Sequence, residues 1–270
     1  MRERSFRLLT AAASLWGLAA GLAVLVYVLT AGVPALFRLS MWGFQWQPDA
    51  GAYGAMGFFL GTLCATALGM ALALPLGVGT ALYLFCRPRQ GLVHAAVSLL
   101  ACCPTVVTGI YGLRVLCPLV QRLLGGSGSC LLSAALVLAV VGLPTMSLLT
   151  LDALRRDGQP VLTAALALGL PRESAALRLA LPHCGSAVGH AAVTAGLRLL
   201  GETTAVLLVC GNSETGPAGL LAPVRTLCTG IALEMGYAAG DHRAALYGFG
   251  AALLLLSLSV LAGKEALCAR

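Results

Sequence analysis

The amino-acid sequence predicts an all-α membrane bundle of about six transmembrane helices, folded as a single domain over residues 1–270. Three observations predict it. Hydrophobic residues make up 59% of the chain and charged residues only 10%. A soluble domain carries about 25% charged residues, so this chain cannot clothe an ordinary water-facing surface. Uncharged stretches run over 8–37, 50–86, 123–151 and 244–263, each at least the roughly 20 residues a helix needs to cross a bilayer. Two more, 90–113 and 179–197, are long enough and are each followed by an arginine. Glycine and proline are spread thinly, which leaves no low-complexity tail and no separate soluble domain.

The spans are predicted at 9–36, 55–85, 93–119, 129–151, 186–210 and 243–262. The first follows a basic start (Arg2, Arg4, Arg7). Its apolar run is about 30 residues, too long for the 7–15-residue core of a cleaved signal, so it is retained. Pro75 and Pro144 interrupt the second and fourth spans and predict simple kinks. In the third, Pro104-Thr105-Val106-Val107-Thr108-Gly109 falls mid-span. A broken helix at that depth is tolerated where it is covered by protein or lines a cavity; both readings stay open there.

Arginine and lysine set the orientation, because cytoplasmic loops carry the excess. One side holds Arg2, Arg4, Arg7, Arg87, Arg89, Arg155, Arg156, Arg172, Arg178, Lys264 and Arg270; the other holds Arg38, Arg122, Arg225 and Arg243. This places both termini and the loops 86–92 and 152–185 in the cytoplasm, with 38–53 and 211–242 outside. The net charge of +7 is confined to short loops, which argues against a nucleic-acid role. In 152–185, two short helical runs, 162–170 and 173–181, flank Gly169-Leu170-Pro171, and Pro182 closes the second because it lacks an amide donor. Two helices meeting at a glycine form an elbow suited to docking into another protein. Gly169 is expected to be required there, since glycine reaches backbone conformations closed to other residues. The segment 212–242 is poor in charge and is expected to lie against the membrane or fold back into the bundle.

The fifth span carries the residues with chemistry. Arg198 and Glu202 are four apart, so on a helix they share a face and meet, and ionisable groups inside a span usually face the bundle interior or a water-filled path. They form either a self-neutralising ion pair or an anion site, in which guanidinium offers a planar fork to oxyanion oxygens and Thr203 and Thr204 add hydroxyls. The ten cysteines contain no C-x-x-C pair and lie mostly in apolar spans, where cysteine acts as a small hydrophobe. A bridge between Cys117 and Cys130 stays open. The four histidines lack metal spacing, and no catalytic set or metal site is expected. No phosphate-binding G-x-x-x-x-G-K-[ST] loop occurs, so any ATP-driven step needs another chain.

Residues 160–182 resemble the coupling loop of ABC importer permeases, E-A-A, three residues, G, nine residues, I-x-L-P. The match is carried by Ala164, Ala165, Gly169, Leu179, Leu181 and Pro182, with Thr163 in place of the family Glu and Leu179 in place of Ile. The run from Leu99 through Pro104, Thr105, Val107, Thr108 and Gly109 to Leu113 is similar to the L-A-G-I-P-S-V-V-Y-G-L-x-G-L stretch of phosphate permeases. Arg198 to Asn212 is similar to their R-A-x-G-E-T-M-A-V-x-M-V-x-G-N. Thr204-Ala205-Val206 is closer to PstC than to its paired permease PstA. The resemblance covers roughly residues 45–262, including Trp46 and Pro48.

It implies the type I importer permease fold and the permease subunit of an ATP-driven importer of inorganic phosphate, in the bacterial inner membrane. Arg198, Glu202, Thr203, Thr204, Thr105 and Thr108 would line the substrate pathway, and the elbow would dock into an ATPase subunit. The implied partners are a second permease, two ATPase subunits that bind ATP, and an external phosphate-binding protein. The alternatives are a permease for molybdate, sulfate or a phosphonate, and an intramembrane enzyme on a lipid phosphate, with Arg198 gripping the headgroup and Glu202 as base.

Overall fold

The computed structural model describes residues 2–39, 41–87 and 91–268. Arg89 and Arg270, and the side chains of Arg2, Arg4 and Lys264, all used in the orientation count, lie outside the described residues. The centre of the bundle is a helix pair, α2 (Met56–Cys86) against α6 (Leu131–Ala153). Along α2, Gly61, Ala65, Gly69, Ala73, Gly77 and Ala81 recur every four residues and are all buried. That period puts them on one stripe, and small residues let membrane helices approach closely. A Cβ at Gly69 would meet the Leu138 side chain at 2.8 Å, and one at Gly77 would meet Met146 at 2.7 Å. Pro75 and Pro144 both sit inside helices that continue past them, so neither interrupts its span.

The first helix, α1 (Arg2–Arg38), packs along the last, α13 (Gly240–Cys268). Gly32 lets the Tyr247 carbonyl approach; Tyr27 and Tyr247 stack edge to face, ring centres 5.7 Å apart. Arg38 donates to Asp241 at 2.6 Å. After α1, a short hairpin of β1 (Trp46–Gln47) and β2 (Ala52–Tyr53) turns through Gly51 at φ 71° and tucks Trp46 into the core.

Among the described residues, five helical stretches are long and apolar enough to cross a membrane: Leu9–Arg38, Met56–Cys86, Thr105–Leu124, Leu131–Ala167 and Gly240–Gly263. The predicted spans need three corrections. The third is broken into α3 (Gly91–Cys102) and α4 (Thr105–Tyr111) at Pro104, then runs through a π turn at Gly112–Leu116, exposing Arg114, into α5 (Cys117–Leu124). The fifth is not one helix but α10 (Gly185–Leu200) and α11 (Thr204–Val209). The fourth runs past residue 151: α6 continues through a π turn (Leu154–Gly158) into α7 (Gln159–Ala167), so the loop predicted to start at 152 begins as helix.

The elbow forms where it is expected. α7 ends at Ala167 and the chain turns at Gly169, whose φ of 82° is the left-handed conformation that glycine tolerates, and the Leu170 amide closes onto the Ala165 carbonyl at 3.1 Å. The chain returns through α8 (Arg172–Ala175), a π turn (Ala176–Ala180) and α9 (Leu181–His183). Pro182 does not end this run. It stands one residue past the π turn, in the first turn of α9, where a missing amide costs little. Leu162, Ala165, Ala175, Ala176 and Ala180 bury against Leu84, Phe85, Leu151 and Leu154. Arg87 pairs with Glu173 at 3.4 Å, and Arg172 donates to the Phe85 carbonyl.

At the opposite end of the bundle the segment after α11 folds back, one of the two predicted arrangements. Gly211 bridges to Val224, and the Leu131 and Leu132 amides donate to Ala222 and Leu220. Thr226 caps α12 (Leu227–Glu234) reciprocally with Thr229. Cys117 and Cys130 are both free and buried.

Candidate functional site

Two sets of residues stand out, the α6–α10 face and the elbow. α10 and α6 run antiparallel. Leu199 is buried against Gly69 of α2 and Gly142 of α6, close to the midpoint of both helices, which fixes the depth of its neighbour Arg198. Arg198 is exposed on the open face, and its Nη1 donates to Thr145 Oγ1 at 3.1 Å. Thr145 was missed by the sequence reading. It stands one residue after Pro144, inside a span with no charge to draw attention to it.

Arg198 and Glu202 do not pair; among the described residues no ion pair joins them. Their spacing would bring them together on a continuous helix, but α10 stops at Leu200 and Gly201 is its cap. Two side chains stabilise the break by competing for backbone partners. Thr203 Oγ1 donates to the Gly201 carbonyl at 3.3 Å, and Glu202 Oε1 accepts from the Ala205 amide at 3.2 Å. The carboxylate thus faces the positive start of α11. A guanidinium anchored on a neutral hydroxyl and a carboxylate anchored on an amide leave both groups with bonding capacity to spare.

α11 packs on α4. A Cβ at Gly109 would meet the Ala205 Cα at 2.9 Å, which explains a glycine at that crossing. The contact sets the helix bearing Thr105 and Thr108 against the helix that opens at Thr204. Thr105 and Thr108 are half-buried, and no hydrogen bond joins them to Arg198 or Glu202 among the described residues. At the elbow, Ala165 is buried, while Ala164, Gly169, Leu179 and Pro182 are exposed and Leu181 half-buried. Leu168 at 83% and Leu177 at 56% exposure give the tip an apolar surface facing out of the chain.

No protein-family model matches the chain. Similar proteins do. The phosphate transport system permease protein PstC of Mesorhizobium japonicum is 31% identical over 276 residues, covering 89% of this chain and 84% of that protein. The chain belongs to the PstC family. A PstC of Xylella fastidiosa is 31% identical over 80% of this chain and 74% of its own. The probable ABC transporter permease YqgH of Bacillus subtilis is 28% identical over 93% and 86%. The solved methionine ABC transporter MetNI, in an inward-facing form, superposes with a TM-score of 0.59 at 18% identity over 83% of this chain and 97% of that one, which shows the ABC importer permease fold.

This PstC-family chain has a second polar cluster, at the fold-back end, that the sequence reading did not find. Glu234 is buried (side chain 6% exposed) and pairs with Arg225 at 2.6 Å. Its two oxygens accept from Trp46 Nε1 at 3.2 and 3.0 Å, and His242 Nε2 lies 2.8 Å from Oε2. Its members come from the β1 hairpin, the fold-back, α12 and α13. No local spacing signals it; the one clue was a lone Glu closing the apolar run of α12. Among the described residues no group of three His, Cys, Asp or Glu could hold a metal.

Proposed function

We propose that this chain is one of two paired permease subunits of an ATP-driven importer and carries inorganic phosphate inward along its α6–α10 face. One observation supports this most directly: Arg198 lies exposed at mid-bundle depth on a face that also carries Thr145, with Glu202 at the helix break beside it. An arginine facing lipid at that depth is costly, so this face opens on water, substrate and a second permease. Guanidinium offers phosphate a bidentate fork. Phosphate keeps a proton near neutral pH, so it also donates to Glu202. Thr203, Thr204, Thr105 and Thr108 supply hydroxyls along the way. The role is transport and not catalysis, because the chemistry needed is to exchange hydration for fixed partners and release them.

The elbow, with its apolar tip and Gly169 turn, docks into a separate ATPase subunit. ATP is bound by two such subunits. An external phosphate-binding protein delivers the substrate to the fold-back end, and the elbow and both termini are cytoplasmic. The test is reconstitution. The chain alone in liposomes is expected to show no ATP-driven phosphate uptake, and the chain with its partner permease, ATPase and binding protein to show it. Uptake by the chain alone, or none by the full assembly, sinks the reading.

A further inference from the structure

The α6–α10 groove does not end at Arg198. On α6, Thr145, Leu149 and Asp152 are spaced four and three residues apart, so they form one stripe, and Arg156 follows in the π turn. On α10, His190, Thr194 and Arg198 recur every four. The helices are antiparallel, so the stripes face each other, with the Arg198–Thr145 hydrogen bond at one end. At the other end, toward the elbow, is a cavity of about 390 Å³ lined by Leu149, Asp152, Arg156, His190 and Thr194, with small alanines. At roughly 30 Å³ per water it has room for a partly hydrated oxyanion. From Thr145 to Asp152 is seven residues, about 10 Å along the axis, two turns beyond Arg198.

We propose that this cavity is a second station for phosphate, occupied after Arg198 and before release on the elbow side. The proposal rests on the transport reading above. The polar groups repeat the first station's logic in an open groove: an exposed guanidinium (Arg156), a carboxylate (Asp152) and a hydroxyl (Thr194) beside small apolar walls. Asp157 takes the Nε and Nη2 donors of Arg156, at 3.0 and 2.9 Å. It orients the guanidinium and leaves Nη1 without a hydrogen bond among the described residues. Asp152 accepts the proton that phosphate retains, and opposes a bare dianion such as sulfate. Arg156 is half-neutralised by Asp157, so the station holds the ion loosely, as release requires.

The experiment uses the complete importer in proteoliposomes and reads phosphate uptake and ATP hydrolysis together. Asp152→Asn and, separately, Thr194→Val are measured against the unaltered assembly. Hydrogen bonds to charged groups are strong enough that losing one is expected to cut uptake per ATP hydrolysed about tenfold for Asp152→Asn, with a smaller loss for Thr194→Val. Thr194→Val keeps its volume, so it serves if Asp152→Asn does not assemble, and Thr194→Ser should restore uptake. Unchanged uptake per ATP in both variants overturns the second station. So does a parallel loss of uptake and hydrolysis, which assigns the cluster to ATPase coupling. If the unaltered assembly carries no phosphate, the transport reading fails instead.

Discussion

Arg198 and Glu202 are held apart by the helix break at residues 201–203, and this changes what each can do. A paired Arg and Glu would satisfy one another. Held apart on Thr145 and the Ala205 amide, a donor fork and an acceptor each keep bonding capacity for a third group. An acceptor inside a site penalises any ligand that brings no proton, because it is then left unpaired. Glu202→Gln keeps the shape and replaces the charge with an amide. Phosphate uptake by the full importer is expected to fall about tenfold, and the ratio of phosphate to sulfate uptake to drop as well. Equal fluxes of both ions before and after the change would reduce Glu202 to a cap on α11. The sequence singles out these two residues as ionisable groups inside a span. It misjudges their geometry, since the four-residue spacing means contact only if the helix is continuous, and Gly201 and Thr203 end that continuity.

The same tension between pattern and break recurs among the helices. Apolar stretches locate the first, second and sixth spans to within a few residues, because the cost of burying a charge in lipid dominates over local preference. What they cannot report is how a span is divided. The breaks at 103–104 and 201–203, and the π turns at Leu154–Gly158 and Ala176–Ala180, depend on neighbours that cover the freed backbone groups. The central seam of α2 against α6 was in the sequence as small residues every fourth position. Here a direct comparison is available. Gly77→Val drives a side chain into Met146, whereas Gly79, two residues on, has nothing within 4 Å. Gly77→Val is expected to destabilise the chain by about 1–3 kcal/mol, the usual cost of overpacking, and Gly79→Val by a small fraction of that. Thermal stability of the two variants in detergent checks it, and equal melting temperatures would disprove the seam's tight packing.

Across the whole molecule, the elbow end is fastened through α2, α6 and the return of α8 and α9, while the other end is fastened by Glu234. That carboxylate gathers Arg225, Trp46 and His242 from three separate stretches of chain, and Arg225 is itself only 11% exposed. Removing one partner of a buried pair leaves the other charge uncompensated, at about 3–5 kcal/mol. Glu234→Ala should therefore lower the melting temperature by several degrees while Glu214→Ala, whose side chain is 54% exposed and 3.6 Å from Arg225, leaves it nearly unchanged. Similar losses in both would show that Glu234 is no keystone. The continuity of α6 with α7 carries a consequence of a different kind. Residues 131–167 form one helix, and Thr145 stands 19 residues, about 28 Å, from Ala164 at the elbow. Pivoting that helix by about 10° at its elbow end swings Thr145 through about 5 Å, close to one helical turn. If α10 stays in place, such a sweep breaks the Arg198–Thr145 hydrogen bond. A hinge at the elbow would then act on an arginine nearly 30 Å away by leverage alone.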